Sequence, residues 1–183
     1  VGLLKLNNLD VDSITVHLRQ DRRHIRDADV YRLKSENIYP INLEMAATEE
    51  MLDIALDVKP TYVCLVPEKR EELTTEGGLD VIGNQDKLAK YVSSLTKAGI
   101  KVSLFIEPDK AQVIAARNIK SAAVELHTGS YSNKSGQERK IELLRIQNAA
   151  KLVKEVGMSC NAGHGLDYDN VENIAKIREI EEL

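Results

Sequence analysis

Short apolar runs recur along the chain, each followed by a polar stretch whose apolar positions are spaced for a helix. The runs are Ser13 to Leu18, Ile41 to Met45, Tyr62 to Val66, Val102 to Ile106, Ala122 to Leu126 and Met158 to Ala162. They favour Val, Ile, Leu and small residues without strict alternation, which predicts strands covered on both faces. Between them the pattern predicts helices over Asp27 to Lys34, Thr48 to Val58, Gln85 to Ala98, Pro108 to Arg117, Gln137 to Val156 and Asp169 to Ile177. Gly99 and Gly157 stand where a helix end turns into left-handed backbone, and Pro108 where a first turn tolerates a missing N–H. Strand and helix alternate six times, the signature of βα units around a parallel sheet.

No GxGxxG follows the first run and no GxxxxGK[ST] occurs, which argues against the nucleotide-binding doubly wound sheets. A (β/α)8 TIM barrel fits the spacing, but such a barrel takes about 250 residues and eight strands. The 183 residues therefore predict a single α/β domain, 1–183, that is a TIM barrel lacking its first and last strands. Val1 to Leu6 reads as the tail of a helix, and Ile180 to Leu183 as a stop just after one, with no closing strand. First and last strands pair with each other in a closed barrel, so the sheet is expected to stay open at two edges.

Composition narrows the class. A net charge of -4 leaves no basic surplus for general nucleic-acid binding. With no Trp and one Phe there is no stacking platform for single strands. No apolar run approaches the ~18 residues of a membrane span, and Val1 does not open a signal peptide. Cys64 and Cys160 lie far apart inside apolar runs and read as reduced core thiols of a cytoplasmic protein.

In a βα barrel the chemistry sits at the C-terminal ends of the strands. Those ends carry His17-Leu18-Arg19 with His24 beyond, then Glu44, then Glu68-Lys69-Arg70 with Thr74-Thr75-Glu76-Gly77-Gly78, then Glu125-Leu126-His127, and last Gly163-His164-Gly165. Arg19 beside His24 suits a phosphate or carboxylate, while Arg22, Arg23 and Arg26 fit a solvated loop equally well. Glu44, inside Ile41-Asn42-Leu43-Glu44-Met45, is expected to be buried and pushed toward a usable base. Glu125 and His127 are two apart and so share a face of their strand. Thr74 to Gly78 reads as a lid, a phosphate holder or a simple turn. His164, between two glycines, is expected to lack packed neighbours and to leave backbone open to a ligand. His17, Glu44, His127 and His164 are also metal-ligand types, but no HxH or HExxH spacing joins them.

These stretches resemble the pyridoxine 5′-phosphate synthase family, the ring-closing enzymes of the deoxyxylulose-dependent vitamin B6 pathway. The resemblance runs through Ile14 to His24, Asn42 to Ala46, Leu65 to Arg70, Thr74 to Val81, Val102 to Ile106, Glu125 to Gly129 and Asn161 to Leu166. It implies a (β/α)8 barrel that joins 1-deoxy-D-xylulose 5-phosphate to 3-amino-2-oxopropyl phosphate, giving pyridoxine 5′-phosphate, inorganic phosphate and water. It implies no metal and no redox cofactor, a homo-oligomer, and no nucleic-acid or membrane partner. By position it makes His17 and Glu44 proton acceptors, His164 a proton donor and Glu125 a transition-state stabiliser. Arg19, His24 and Thr74 would contact the deoxyxylulose phosphate, and Gly165 the aminooxopropyl phosphate. The family's Asn-x-Asp-His motif and its last Gly-His are not in these residues, so weak binding of the aminooxopropyl phosphate is expected. Two other readings are a metal-dependent barrel aldolase or hydrolase, and a non-catalytic protein that binds a phosphorylated metabolite.

Overall fold

The computed structural model describes residues 11–36, 38–68 and 77–183, and the helix tail expected at Val1 to Leu6 lies outside them. Six parallel strands form one sheet in chain order: β1 (Ile14–His17), β2 (Ile41–Met45), β3 (Tyr62–Leu65), β4 (Lys101–Ile106), β5 (Ala123–His127) and β6 (Ser159–Gly163). The helices are α1 (Asp27–Glu36), α2 (Glu49–Val58), α3 (Gln85–Lys97), α4 (Lys110–Asn118), α5 (Gly129–Asn133), α6 (Gly136–Glu155) and α7 (Val171–Ala175). Among the described residues β1 and β6 do not pair, so the strands make an open half-barrel.

The strand runs look continuous, and most of β3 and β4 is buried, but burial along β2 and β6 alternates. In β2, Ile41, Leu43 and Met45 are buried while Asn42 and Glu44 are partly exposed. Successive side chains of a strand point to opposite faces. One face therefore packs in the hydrophobic core and the other carries the polar positions that line the interior. Cross-strand register sets those positions side by side, with His17 opposite Glu44, Glu44 opposite Cys64, and Glu125 opposite Asn161. A shift of one residue would exchange the two faces, so the apolar set holds the site in place.

The helices are cut by local chemistry. α2 starts where the Thr48 hydroxyl accepts from the Met51 N–H, and it stops at Lys59 in left-handed backbone. It buries Met51, Leu52, Ala55 and Val58, the one-sided spacing of an amphipathic helix. Each large apolar side chain so buried contributes about 1.5–3 kcal/mol. Leu43, Val63, Leu65, Leu104 and Leu126 are fully buried in the same core. Replacing one of these leucines by alanine would cost about 2–5 kcal/mol.

Three expectations need correction. α4 begins at Lys110, not Pro108, because the Asp109 carboxylate caps it by accepting from the Ala111 and Gln112 N–H groups. The short α5 went unforeseen, since five residues show no helical period. The last residues do not simply leave a helix: Glu182 forms a parallel bridge with Asn161 on the outer edge of β6, and the Ala162 N–H donates to the Glu182 carbonyl at 3.1 Å. Among the described residues no helix is long and apolar enough to cross a membrane.

Candidate active site

At the end of β1 the His17 ring lies between two carboxylates. Its Nδ1 is 3.7 Å from a Glu44 oxygen and its Nε2 is 3.3 Å from a Glu68 oxygen. The other Glu68 oxygen accepts from the Gln20 N–H at 2.9 Å, fixing the turn that carries Arg19. Glu44 is a quarter exposed on the inner face, not fully buried as expected, because its position alternates with the core residues of β2. Its carboxyl is nevertheless held above the usual carboxylate range by burial, which outweighs the opposing effect of His17.

Across the inner face, burial and then the charge of Glu44 push Glu125 up to about 7. The Cys64 thiol donates to it at 3.6 Å. Room for this carboxylate comes from Gly163, where a Cβ would sit 2.5 Å from a Glu125 oxygen. Glu44 and Glu125 line one cavity of about 680 Å³ with Thr15, Asn42, Asn161 and Glu182. A carboxyl near 7 both gives and takes protons at neutral pH, which suits acid–base work.

The ends of β4, β5 and β6 make a drier cluster. His127 Nδ1 is 2.6 Å from a Glu107 oxygen, and both side chains are less than a tenth exposed. The His127 and His164 rings meet edge to face at 4.8 Å between centroids, with Phe105 beside both. His164 thus has packed neighbours, contrary to the expectation from its flanking glycines. Its backbone takes φ +85°, a left-handed conformation uncommon outside glycine. The buried Thr128 hydroxyl lies 2.7 and 2.8 Å from the Gly163 and His164 carbonyls and secures that turn. Burial, then His127, lowers the His164 pKa below the ordinary histidine value.

His17, Glu44, His127 and His164 do not converge as a metal site. They form two separate pairs, and among the described residues no group of three or more His, Cys, Asp or Glu could hold a metal ion. Both cysteines are buried free thiols, and burial pushes Cys160 up to about 12.

Residues 4–183 match the family described as pyridoxal phosphate biosynthesis protein PdxJ. The chain belongs to this family. Pyridoxine 5′-phosphate synthase of Zymomonas mobilis is 56% identical over 94% of this chain and 67% of its own length. The enzyme of the same name from Sulfurihydrogenibium is 55% identical over 100% of this chain and 76% of its own length. Among solved structures, phosphoribosyl anthranilate isomerase from Thermus thermophilus superposes with a TM-score of 0.63 at 13% identity, covering 100% of this chain and 80% of that one. The Amycolatopsis orientalis BexX/CysO complex gives 0.66 at 14% identity, covering 100% and 74%. At such identities these two share the fold alone.

For this PdxJ-family chain, the structure brings together some of the expected site residues. His17 meets Glu44, and Glu125 shares their cavity, while His164 stands apart with His127. Arg19 pairs with Asp21 at 3.2 Å, and His24 lies exposed on the same turn. Thr74 lies outside the described residues. Gly165 has φ +78°, and a Cβ there would come within 3.0 Å of the Ser132 side chain. Arg22 pairs with Asp27 and Glu50 at 2.7 and 2.6 Å, and Arg23 with Asp21 at 3.4 Å, as in a solvated loop. Glu68 stands among the strand-end residues read from the sequence, without a role assigned there, whereas Glu107 and Arg145 do not. Glu107 directly follows β4, so the strand-end rule reaches it; Arg145, in mid-helix on α6, carries no sequence signal.

Proposed function

We infer that the chain is a pyridoxine 5′-phosphate synthase that condenses 1-deoxy-D-xylulose 5-phosphate with 3-amino-2-oxopropyl phosphate, releasing phosphate and water. The observation that carries this reading is the shared cavity of Glu44 and Glu125, with His17 in contact with Glu44 at 3.7 Å. Joining an amine to a ketone, losing phosphate, closing the ring and dehydrating are all proton transfers, and each is served by groups that exchange protons near neutral pH. His17 and Glu44 accept protons. Glu125 stabilises the transition state, and its neutral form donates a hydrogen bond to oxygen that gains charge. His164 donates a proton; its lowered pKa makes its imidazolium the stronger acid. Arg19, His24 and Thr74 hold the deoxyxylulose phosphate, and Gly165 contacts the aminooxopropyl phosphate. The enzyme works as a homo-oligomer on these small molecules in the cytoplasm.

Glu44→Gln separates this reading from that of a protein that only binds a phosphorylated metabolite. The synthase loses about 10²–10⁴-fold in kcat with little change in substrate binding. Unchanged turnover in the Gln variant would remove Glu44 from the chemistry.

A further inference from the structure

Glu107 is charged, almost fully buried and outside the set of residues to which the proposed chemistry assigns a role. It sits directly after β4, and three groups among the described residues face its two oxygens. The Gly78 N–H donates to Oε1 at 3.0 Å, and Arg145 Nη2 donates to Oε2 at 3.4 Å. Oε1 also lies 2.6 Å from His127 Nδ1. A carboxylate held by a backbone N–H and a guanidinium only accepts, so His127 turns its Nδ1–H toward it. That contact holds the imidazole against flipping and sets its ring edge to face against two rings, His164 at 4.8 Å and Phe105 at 4.9 Å between centroids.

The surroundings keep this orientation. A Cβ on Gly129 would stand 2.6 Å from His127 Nε2, and one on Gly77 would stand 3.3 Å from His127 Cε1. The space around the ring therefore admits backbone and little else. A Cβ on Gly78 would meet the Glu107 backbone N at 2.5 Å, so the chain at Gly78 also approaches as closely as glycine allows. His164 itself is exposed and stands on left-handed backbone. The Phe105 ring is tilted to it at 6.0 Å, and a Cβ on Gly129 would stand 3.2 Å from the His164 Cδ2. An exposed imidazole on such a turn needs a fixed neighbour to hold one orientation.

We propose that Glu107, anchored by Arg145 and Gly78, is a positioning residue that locks His127 and, through it, the ring of His164 in the orientation from which His164 delivers its proton. The proposal rests on the proton-donor reading of His164 given above. Neither Glu107 nor His127 need touch substrate. Their work is orientation, and small errors in orientation at a proton donor are costly in rate.

The test compares Glu107→Gln in the unaltered protein and in a His164→Ala background. Gln keeps the size of the side chain and an oxygen for the His127 N–H, but loses the charge that faces Arg145. In the unaltered background kcat is expected to fall by about tenfold or more with each KM within about twofold, because only orientation is lost. In the His164→Ala background the same change should leave the residual kcat within about twofold, since there is no imidazole left to orient. Equal losses in both backgrounds, or an unchanged kcat in the first, would overturn the proposal. A second readout needs no turnover. The His164 ring-proton NMR signals carry the ring-current effect of His127 and should move toward exposed-histidine positions in Glu107→Gln; unmoved signals overturn the proposal. If the unaltered protein makes no pyridoxine 5′-phosphate, the synthase reading falls, and the ring signals still decide the positioning role.

Discussion

The two halves of the site are built differently. On β1 to β3, His17 meets its carboxylate neighbours at 3.3 and 3.7 Å, beside a cavity large enough for a small phosphorylated molecule. On β4 to β6, His127 and Glu107 meet at 2.6 Å, and both are almost wholly buried. Loose, half-wet contacts leave groups free to change protonation and partner during a reaction. Short, dry contacts hold a geometry. Under the proposed function this difference divides the labour: the first half would exchange protons and the second would keep a donor in place. Glu125 stands between them, sharing the open cavity with Glu44 and the space above Gly163 with β6.

Two glycine substitutions, one against Glu125 at the edge of the open cavity and one against His127 in the dry half, test that difference. Gly163→Ala places a methyl 2.5 Å from the Glu125 carboxylate, the far end of a flexible chain. The carboxylate swings aside, so kcat should fall about 10²-fold while the melting temperature barely moves. A large stability loss with normal kcat would show that Glu125 is rigidly packed and not part of the reacting half.

The next effect is the pH dependence of stability. Glu125 rises from 4.5 to about 7 in the folded protein, so between those values the folded state binds a proton that the unfolded state has released. Stability contributed by the neutral carboxyl is present at low pH and is lost as pH rises through that window, by on the order of 3 kcal/mol. Denaturant melts of the unaltered protein should weaken across this range, and those of Glu125→Gln should weaken less, since the raised Glu44 carboxyl remains. Parallel curves would place the Glu125 carboxyl in water.

The smallest effect is expected from Gly129→Ala, the matching change in the dry half. Here the methyl falls 2.6 Å from His127 Nε2, on a ring that Glu107 prevents from moving. The strain should appear as about 1–2 kcal/mol of lost stability, read by chemical denaturation. If Gly129→Ala is neutral for stability, the dry half is not rigid.

Much of this was legible in the chain. Ile41-Asn42-Leu43-Glu44-Met45 announces a strand with one apolar face, and the strand-end rule picks out His17, Glu44, Glu125 and His164. The sequence could not show the depth of the inner face: it took the register of β2 against β1 and β3 to leave Glu44 a quarter exposed. Glycines on either side of His164 read as open space, yet the ring is packed by His127, a neighbour from β5 that only the fold supplies. Arg145 reaches Glu107 from α6, 38 residues away in sequence, and no local pattern encodes such a contact. Asp109 could have been read as a cap, since an aspartate before a helical run is a common start, but Pro108 beside it gave the competing signal.

In the proposed function this chain closes the pyridoxine ring by acid–base chemistry. The most direct measurement mixes the protein with 1-deoxy-D-xylulose 5-phosphate and 3-amino-2-oxopropyl phosphate and follows the pyridoxine chromophore and phosphate release, with and without a strong chelator. The account predicts product in step with phosphate, at a rate the chelator leaves unchanged. No product, or a lasting inhibition by the chelator, would contradict it.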